Sequence, residues 1–454
     1  MIFSSKKWLT IFLISIASLF LALSCASTKM GETCEHSGFS QKTLSNGIPV
    51  IFKQKKGSKI VVLKVLFEGG SSVIEKELGG IEDVVFSLMM RGSEKYPYQK
   101  LQQLEYEKSI FLSAGNGRDY SSAGFTCIQR DLELSLDMIS ECIKNPSFLE
   151  QDFMRKMTEI EDSIEKRKAD PSGSLGLALS KEAFKNHPYE TTVSVTEDSF
   201  KNIKLNLVKE IHARLLNANR IKIFVAGDFS KELLLDFTSA LDKNFGSIPK
   251  DSFPTPAIPR LKVTPKSQFI ENEQAGDTGY AAGIFEYPER SSKDCVPLAL
   301  ALMYIDDILF SQVREKAGAL YSVGTDVIGG RKLLGLISLY KISGKENLKK
   351  TVYDAILSFD EDSISKKLSQ YKNQYVSSLF ESAMTSSGML TNVILGSEYF
   401  GSPDFYLKRA EQVQNVSARQ VIAAYKKYIE PLAKEDKVTW IVIDGKENLS
   451  KYDF

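Results

Sequence analysis

Gly80-Ile81-Glu82-Asp83-Val84-Val85-Phe86-Ser87-Leu88-Met89-Met90-Arg91-Gly92 is the stretch on which the reading of this chain turns. Apolar residues recur at helical spacing between the glycines, which predicts a helix from about Gly80 to Met90. Positions four apart share a helix face, so Asp83 and Ser87 point the same way. Upstream, Ile60 to Phe67 reads as a strand ended by Gly69-Gly70. Before it, Gln41 to Gln54 reads as a hairpin in which Ser45-Asn46-Gly47 supplies the positive φ angles of a tight turn. Downstream, Tyr120 to Ile128 is a strand, and helical spacing dominates Leu132 to Ile143, Glu150 to Lys168 and Leu207 to Leu216. The strand Ile221 to Ala226 runs into Gly227-Asp228, and a helix ending near Phe245 closes the half.

The end of the chain repeats this ending. Ser417 to Tyr428 is helical, and the strand Val438 to Ile443 runs into Asp444-Gly445, 217 residues after Ile221. A repeat that long predicts two related domains, because solenoid units are ~20–50 residues. The expected class is α+β, each domain an antiparallel-rich sheet packed with helices. Five prolines between Gly246 and Lys266 make an extended linker there. The domains are therefore placed at 41–248 and 267–454, with a linker at 249–266.

Composition excludes whole function classes. Of 454 residues, 43% are hydrophobic and 25% charged, which argues against wholesale disorder and against a polytopic membrane protein. Lys and Arg number 58 against 57 Asp and Glu, so no net charge draws the chain to nucleic acid. At the N-terminus, Lys6 and Lys7 precede an apolar run, Trp8 to Leu23, too short for a comfortable ~20-residue span. The run closes on Leu21-Ala22-Leu23-Ser24-Cys25 and resembles a bacterial lipoprotein signal. That resemblance implies a removed leader at 1–24, lipidation of Cys25 and a tether at 25–40. It also implies a place in the cell envelope, lipid-anchored in the periplasm or on the outer membrane. Cys34, Cys127, Cys142 and Cys295 fit no zinc-knuckle or redox spacing, and their pairing stays open.

Four stretches in order resemble the pitrilysin/insulinase family of zinc metallopeptidases, which includes the mitochondrial processing peptidase. They are Thr43 to Phe52 with Gly69-Gly70, then Gly80 to Pro97, then His187-Pro188-Tyr189 leading to Gly227-Asp228, and finally Leu309 to Lys316 with Tyr321-Ser322-Val323. The resemblance implies two tandem domains forming half of a clamshell chamber. The family motif, His-x-x-Glu-His on one helix, puts two imidazoles on one zinc and a glutamate on the metal-bound water. Laid on this chain, those positions are Asp83, Phe86 and Ser87, and the distal glutamate falls at Ser163. A phenyl ring cannot take a proton from water, and a serine hydroxyl is a poor zinc ligand. A one-residue slide brings in Glu82 but no histidine. The chain's three histidines are His36 in the tether, His187 before a proline and His212 alone on a helix. Glu159, Glu161, Asp162 and Glu165 read as a solvated helix face. The expectation is a degenerate member with no catalytic residue, metal or cofactor of its own, zinc residing only in a partner.

In two-chain members of that family the zinc-less subunit contributes an Arg/Tyr pair to substrate, and the matching residues are Arg314 and Tyr321. A helix end from Leu309 to Lys316, a turn through Ala317-Gly318-Ala319 and a strand from Leu320 can aim both into one space. Their donors would then serve a substrate carbonyl or oxyanion. The bland alternative is an Arg paired with a carboxylate beside a half-buried Tyr. The resemblance implies a zinc-bearing homologous subunit and an extended peptide as partners, with the membrane reached through the lipid. The other readings are a structural or peptide-binding envelope lipoprotein that self-associates, and an enzyme with an unrecognised site, for which no nucleophile–base pattern is legible.

Overall fold

The computed structural model describes residues 38–253 and 257–454. The leader, Cys25, Cys34, His36 and nearly all of the tether lie outside the described residues. Two mixed sheets organise the chain. The first contains β1 (Phe39–Thr43), β2 (Pro49–Gln54), β3 (Ile60–Glu68), β4 (Phe111–Gly115), β5 (Tyr120–Ile128) and β6 (Ile221–Gly227), in the order β1-β2-β6-β3-β5-β4. The second contains β7 (Lys266–Glu271), β8 (Gly279–Glu286), β9 (Leu320–Gly329), β10 (Leu333–Ile342) and β11 (Thr439–Asp444), in the order β7-β11-β8-β10-β9.

The two orders superpose strand for strand once β1 is set aside. β2 runs parallel to β6 as β7 does to β11, and every other pairing is antiparallel. The repeat expected from two strand-to-loop endings is thus a repeat of whole topology. Two of the expected boundaries fall inside strands. β1 begins at Phe39, within the segment assigned to the tether, and β7 begins at Lys266, the last residue assigned to the linker.

Seven helices position the site: α1 (Ile81–Met89), α2 (Tyr98–Lys108), α3 (Glu150–Ala169), α4 (Pro171–Ala183), α5 (Cys295–Leu309), α6 (Glu361–Ser382) and α7 (Ser386–Phe400). Each sheet buries one face under helices of its own half: Val61, Leu63 and Val65 of β3 under Val84, Val85 and Leu88 of α1, and Ala281 and Phe285 of β8 under Leu298, Ala301 and Ile305 of α5. The opposite faces are covered by exchange. Leu175 of α4 packs on Ile284, Leu334 and Ile441 of the second sheet, while Leu390, Val393 and Ile394 of α7 pack on Ile51, Val62 and Phe224 of the first. The exchange joins the halves. The helix through Cys295–Lys316 is long and apolar enough to cross a membrane by composition, but most of it is buried inside the second half.

Candidate functional site: a cavity between helix and edge strand

Helix α1 begins where Gly80 takes a left-handed φ of 83°, a position where a Cβ would lie 2.1 Å from the backbone nitrogen of Val195. Glu82 and Asp83 in the first turn suit the helix dipole. The face carrying Asp83, Phe86, Ser87 and Met90 borders a cavity of about 290 Å³, closed on the other side by Leu112 to Asn116 of β4 and its loop. The structure thus brings Asp83, Phe86 and Ser87, three of the four positions expected for the motif, to one space.

The fourth does not line it. Ser163 is exposed on α3, and the α3 residue that reaches the motif is Lys156, whose Nζ lies 3.1 Å from Asp83 Oδ2. Lys156 sits seven residues, two turns, before Ser163, so both belong to one stripe of the helix. An ammonium therefore occupies the surroundings of the one anionic motif residue. Phe86 is 2% exposed and meets Phe67 edge-to-face at 5.5 Å. Among the described residues, no group of three or more His, Cys, Asp or Glu side chains could hold a metal ion. A zinc ion does not fit this donor set: one carboxylate already paired to lysine, one hydroxyl and one phenyl ring.

Glu82 is turned away from the cavity and is 2% exposed. Its Oε2 accepts a hydrogen bond from Ser121 Oγ at 2.6 Å, and Arg220 Nη2 stands 3.9 Å from Oε1. Burial pushes its carboxyl up, against the pull of Ser121 and Arg220. Its place is in the fold of the first half. The two histidines among the described residues bond to the backbone of the fold. His212 Nε2 bonds the carbonyl of Ile143 at 2.8 Å, and burial lowers its pKa. His187 accepts from the backbone N–H of Tyr189 and bonds the carbonyl of Pro259.

Strand β4 forms the open edge of the first sheet. Leu112 donates its N–H to Glu105 Oε1 of α2 rather than to β5, so the alternation of the ladder turns the N–H of Ala114 outward as well. Phe111 at its start is 65% exposed. This exposed edge beside the cavity escaped the sequence reading because its one distinguishing sign, Gly115 before Asn116-Gly117, marks only a turn.

In the second half, α5 continues into a π-helical turn, Phe310–Lys316, before Ala317 and Gly318 lead to β9. That wide turn places the Arg314 guanidinium 4.6 Å from the Phe310 ring centre and 5.5 Å from that of Tyr321. Tyr321 is 65% exposed, and Lys341 Nζ also lies 5.5 Å from its ring. Among the described residues Arg314 has no ion-pair partner. The structure brings the pair together, leaves Arg314 half-buried beside an exposed Tyr321 and keeps both residues out of the cavity beside Asp83.

Residues 49–197 match the family model described as insulinase (peptidase family M16), and residues 202–375 match the peptidase M16 inactive domain. A non-peptidase homolog, YmxG, of Helicobacter pylori is 20% identical over 181 residues, which cover 40% of this chain and 42% of that protein. An insulin-degrading enzyme homolog of Dictyostelium discoideum is 22% identical over 252 residues, covering 54% of this chain and 25% of its own length. The matched parts thus span less than half of either relative. Among solved structures, a peptidase M16 inactive domain from Pseudomonas fluorescens has a TM-score of 0.77 at 18% identity, covering 90% of this chain and 98% of that one. The periplasmic protease PqqL of Escherichia coli has a TM-score of 0.74 at 14% identity, covering 92% and 46%. These likenesses fix the fold. With both family models in sequence along it, one of them the inactive domain, and a non-peptidase homolog among its relatives, the chain belongs to the insulinase family as a non-catalytic member.

Proposed function

We propose that this chain is the zinc-less subunit of a two-chain envelope peptidase, pairing with a zinc-bearing homologue and holding extended peptide for it. The observation that carries the reading is the contrast between the two candidate sites. The positions expected for the metal are closed by Phe86 and the Lys156–Asp83 pair, whereas a half-buried Arg314 lies beside the exposed Tyr321 ring and has no carboxylate at ion-pairing distance among the described residues. A guanidinium held on an aromatic face keeps its donors for a backbone carbonyl or a developing oxyanion across a subunit interface. The open β4 edge offers main-chain pairing to an extended peptide, with the cavity beside it for a side chain. Cys25 anchors the subunit to the membrane. The E. coli neighbour is named as a periplasmic protease, which supports an envelope site of action.

The second reading is a scaffold or peptide-binding lipoprotein that self-associates. It is favoured by the H. pylori relative, which is named a non-peptidase homolog. Affinity purification of the tagged chain from detergent-solubilised membranes, with mass spectrometry of stoichiometric partners, separates the two. A co-purifying relative with His-x-x-Glu-His is the expected result, and recovery of the chain alone or as a self-dimer favours the scaffold. In the reconstituted pair, Arg314→Ala with Tyr321→Phe is expected to lower peptide cleavage at least tenfold. Full activity of that double variant would end the assignment of the pair to substrate.

A further inference from the structure

The second half holds its own cavity in the place equivalent to the first. It measures about 320 Å³ and lies between α5 and β9, as the other lies between α1 and β4. Its lining is different in kind. Arg290 and Arg409 act on Cys295 at the start of α5, and Asp326 acts on Asp306 three turns further along the same helix, so the two signs of charge lie toward opposite ends. Arg290 donates its Nε–H to the carbonyl of Gly330 at 2.7 Å and lies 4.5 Å from the Tyr399 ring centre. Arg409 lies over Phe405 and Phe400, at 4.7 and 5.3 Å. Among the described residues neither arginine has a carboxylate within ion-pairing distance, and neither Asp306 nor Asp326 has a cation.

The two ends act on different neighbours. Burial pushes the Cys295 thiol up, and Arg409 and Arg290 both oppose it. Burial likewise pushes Asp306 up, to about 6; the Thr325 hydrogen bond opposes it, and the charges acting on it are those of Asp307 and Asp326. Tyr287 and Tyr375 line the wall near the arginines and Cys295, and among the described residues their hydroxyls have no hydrogen-bond partner. Arg290, Arg409 and Asp306 are part-buried without a counter-ion, which is costly to leave unmatched, while Asp326 is exposed at the rim. A ligand that carries both complementary charges would remove that cost. A single amino acid underfills the volume, whereas a dipeptide suits a site at the small end of the ~300–1,000 Å³ range of ligand pockets.

We propose that this cavity binds a dipeptide with free termini, its carboxylate on Arg290 and Arg409, its ammonium toward Asp306 and Asp326, and an aromatic side chain against Tyr287 and Tyr375. The site is separate from the Arg314–Tyr321 pair and does not rest on the subunit reading, so its test needs no partner chain.

Ligand-observed NMR titration of the purified full chain with Ala-Phe, N-acetyl-Ala-Phe and Ala-Phe-amide tests it on the unmodified protein. Ala-Phe is expected to bind, and blocking either terminus to weaken binding at least tenfold. Arg409→Gln should erase the preference for Ala-Phe over its amide while keeping the preference over the acetylated form. Asp306→Asn should do the reverse. Equal binding of all three peptides, or no binding of Ala-Phe at millimolar concentration, would overturn the proposal. So would phenylalanine alone binding as tightly as the dipeptide.

Discussion

Phe86, the residue that the resemblance sets at the catalytic glutamate position, is a core residue. Its ring is buried against Phe67, so the position now belongs to the core of the first half. Phe86→Ala is expected to cost roughly 3–5 kcal/mol in urea unfolding through lost burial and a cavity. Phe86→Glu should cost at least as much, because it buries a carboxylate with no partner; a neutral effect of either would show that the ring is not packed. Asp306 makes the opposite case. Burial, with smaller contributions from Asp307 and Asp326, pushes its carboxyl up to about 6 against the Thr325 hydrogen bond. The folded chain therefore binds that proton more tightly than the unfolded chain, whose carboxyl titrates near ~4. Stability falls as pH rises between those values and stays lower above them. Asp306→Asn should thus stabilise the protein at pH 8, by at most roughly 3 kcal/mol, and less at pH 5. Destabilisation at pH 8 would mean that a cation already meets Asp306. The same substitution is expected to weaken dipeptide binding, so stability and binding pull this residue in opposite directions.

The element that separates the two halves is the edge strand. On β9 the outward N–H of Thr325 is taken by Asp306 Oδ1 at 2.6 Å and that of Val327 by Asp326 Oδ1 at 2.7 Å. Two successive outward donors are therefore capped, which protects this edge against strand addition. On β4 Glu105 caps Leu112 and leaves Ala114 open. Peptide pairing is accordingly expected at β4 and not at β9. Ala114→Pro removes the outward donor without breaking the β4–β5 ladder. It should lower the affinity for an unstructured fluorescent peptide at least tenfold in anisotropy titrations, with the melting temperature little changed. Unchanged affinity would move peptide binding away from this edge. Helix α1, α3 beside it and the strand Tyr120–Ile128 were legible from spacing alone, and α2 was not. β4 was not, because five residues with no alternation carry no period.

At the scale of the whole molecule, the halves are held by exchanged helices and by one polar hub. Asp119 accepts hydrogen bonds from the Tyr189 hydroxyl at 2.6 Å, the Arg331 N–H at 2.6 Å and the Tyr399 hydroxyl at 3.1 Å. The β9–β10 turn docks there so closely that a Cβ on Gly330 would lie 2.1 Å from Asp119 Oδ2. Lys222 of β6 adds a bond to the buried carboxylate of Glu398 on α7 at 2.9 Å. Asp119→Ala strands a fully buried tyrosine hydroxyl and should lower stability by roughly 2–4 kcal/mol. Calorimetry should then show the unfolding transition broadened or split relative to the parent chain as the halves uncouple. A sharp transition at the original temperature would show that Asp119 does not couple the halves.

The sequence by itself determined the repeat of two α+β halves, the absence of histidine from the motif helix and the turn that gathers Arg314 and Tyr321. Each is written in neighbouring residues, as periodicity, residue type or a glycine at a bend. Only the tertiary structure decided that Lys156 and not Ser163 meets Asp83, that α4 and α7 trade sheets, and that Asp119 joins the halves. An apolar helix face is the same pattern whichever sheet it covers. The partner of a buried charge is chosen by packing between residues far apart in the chain, which no local pattern encodes.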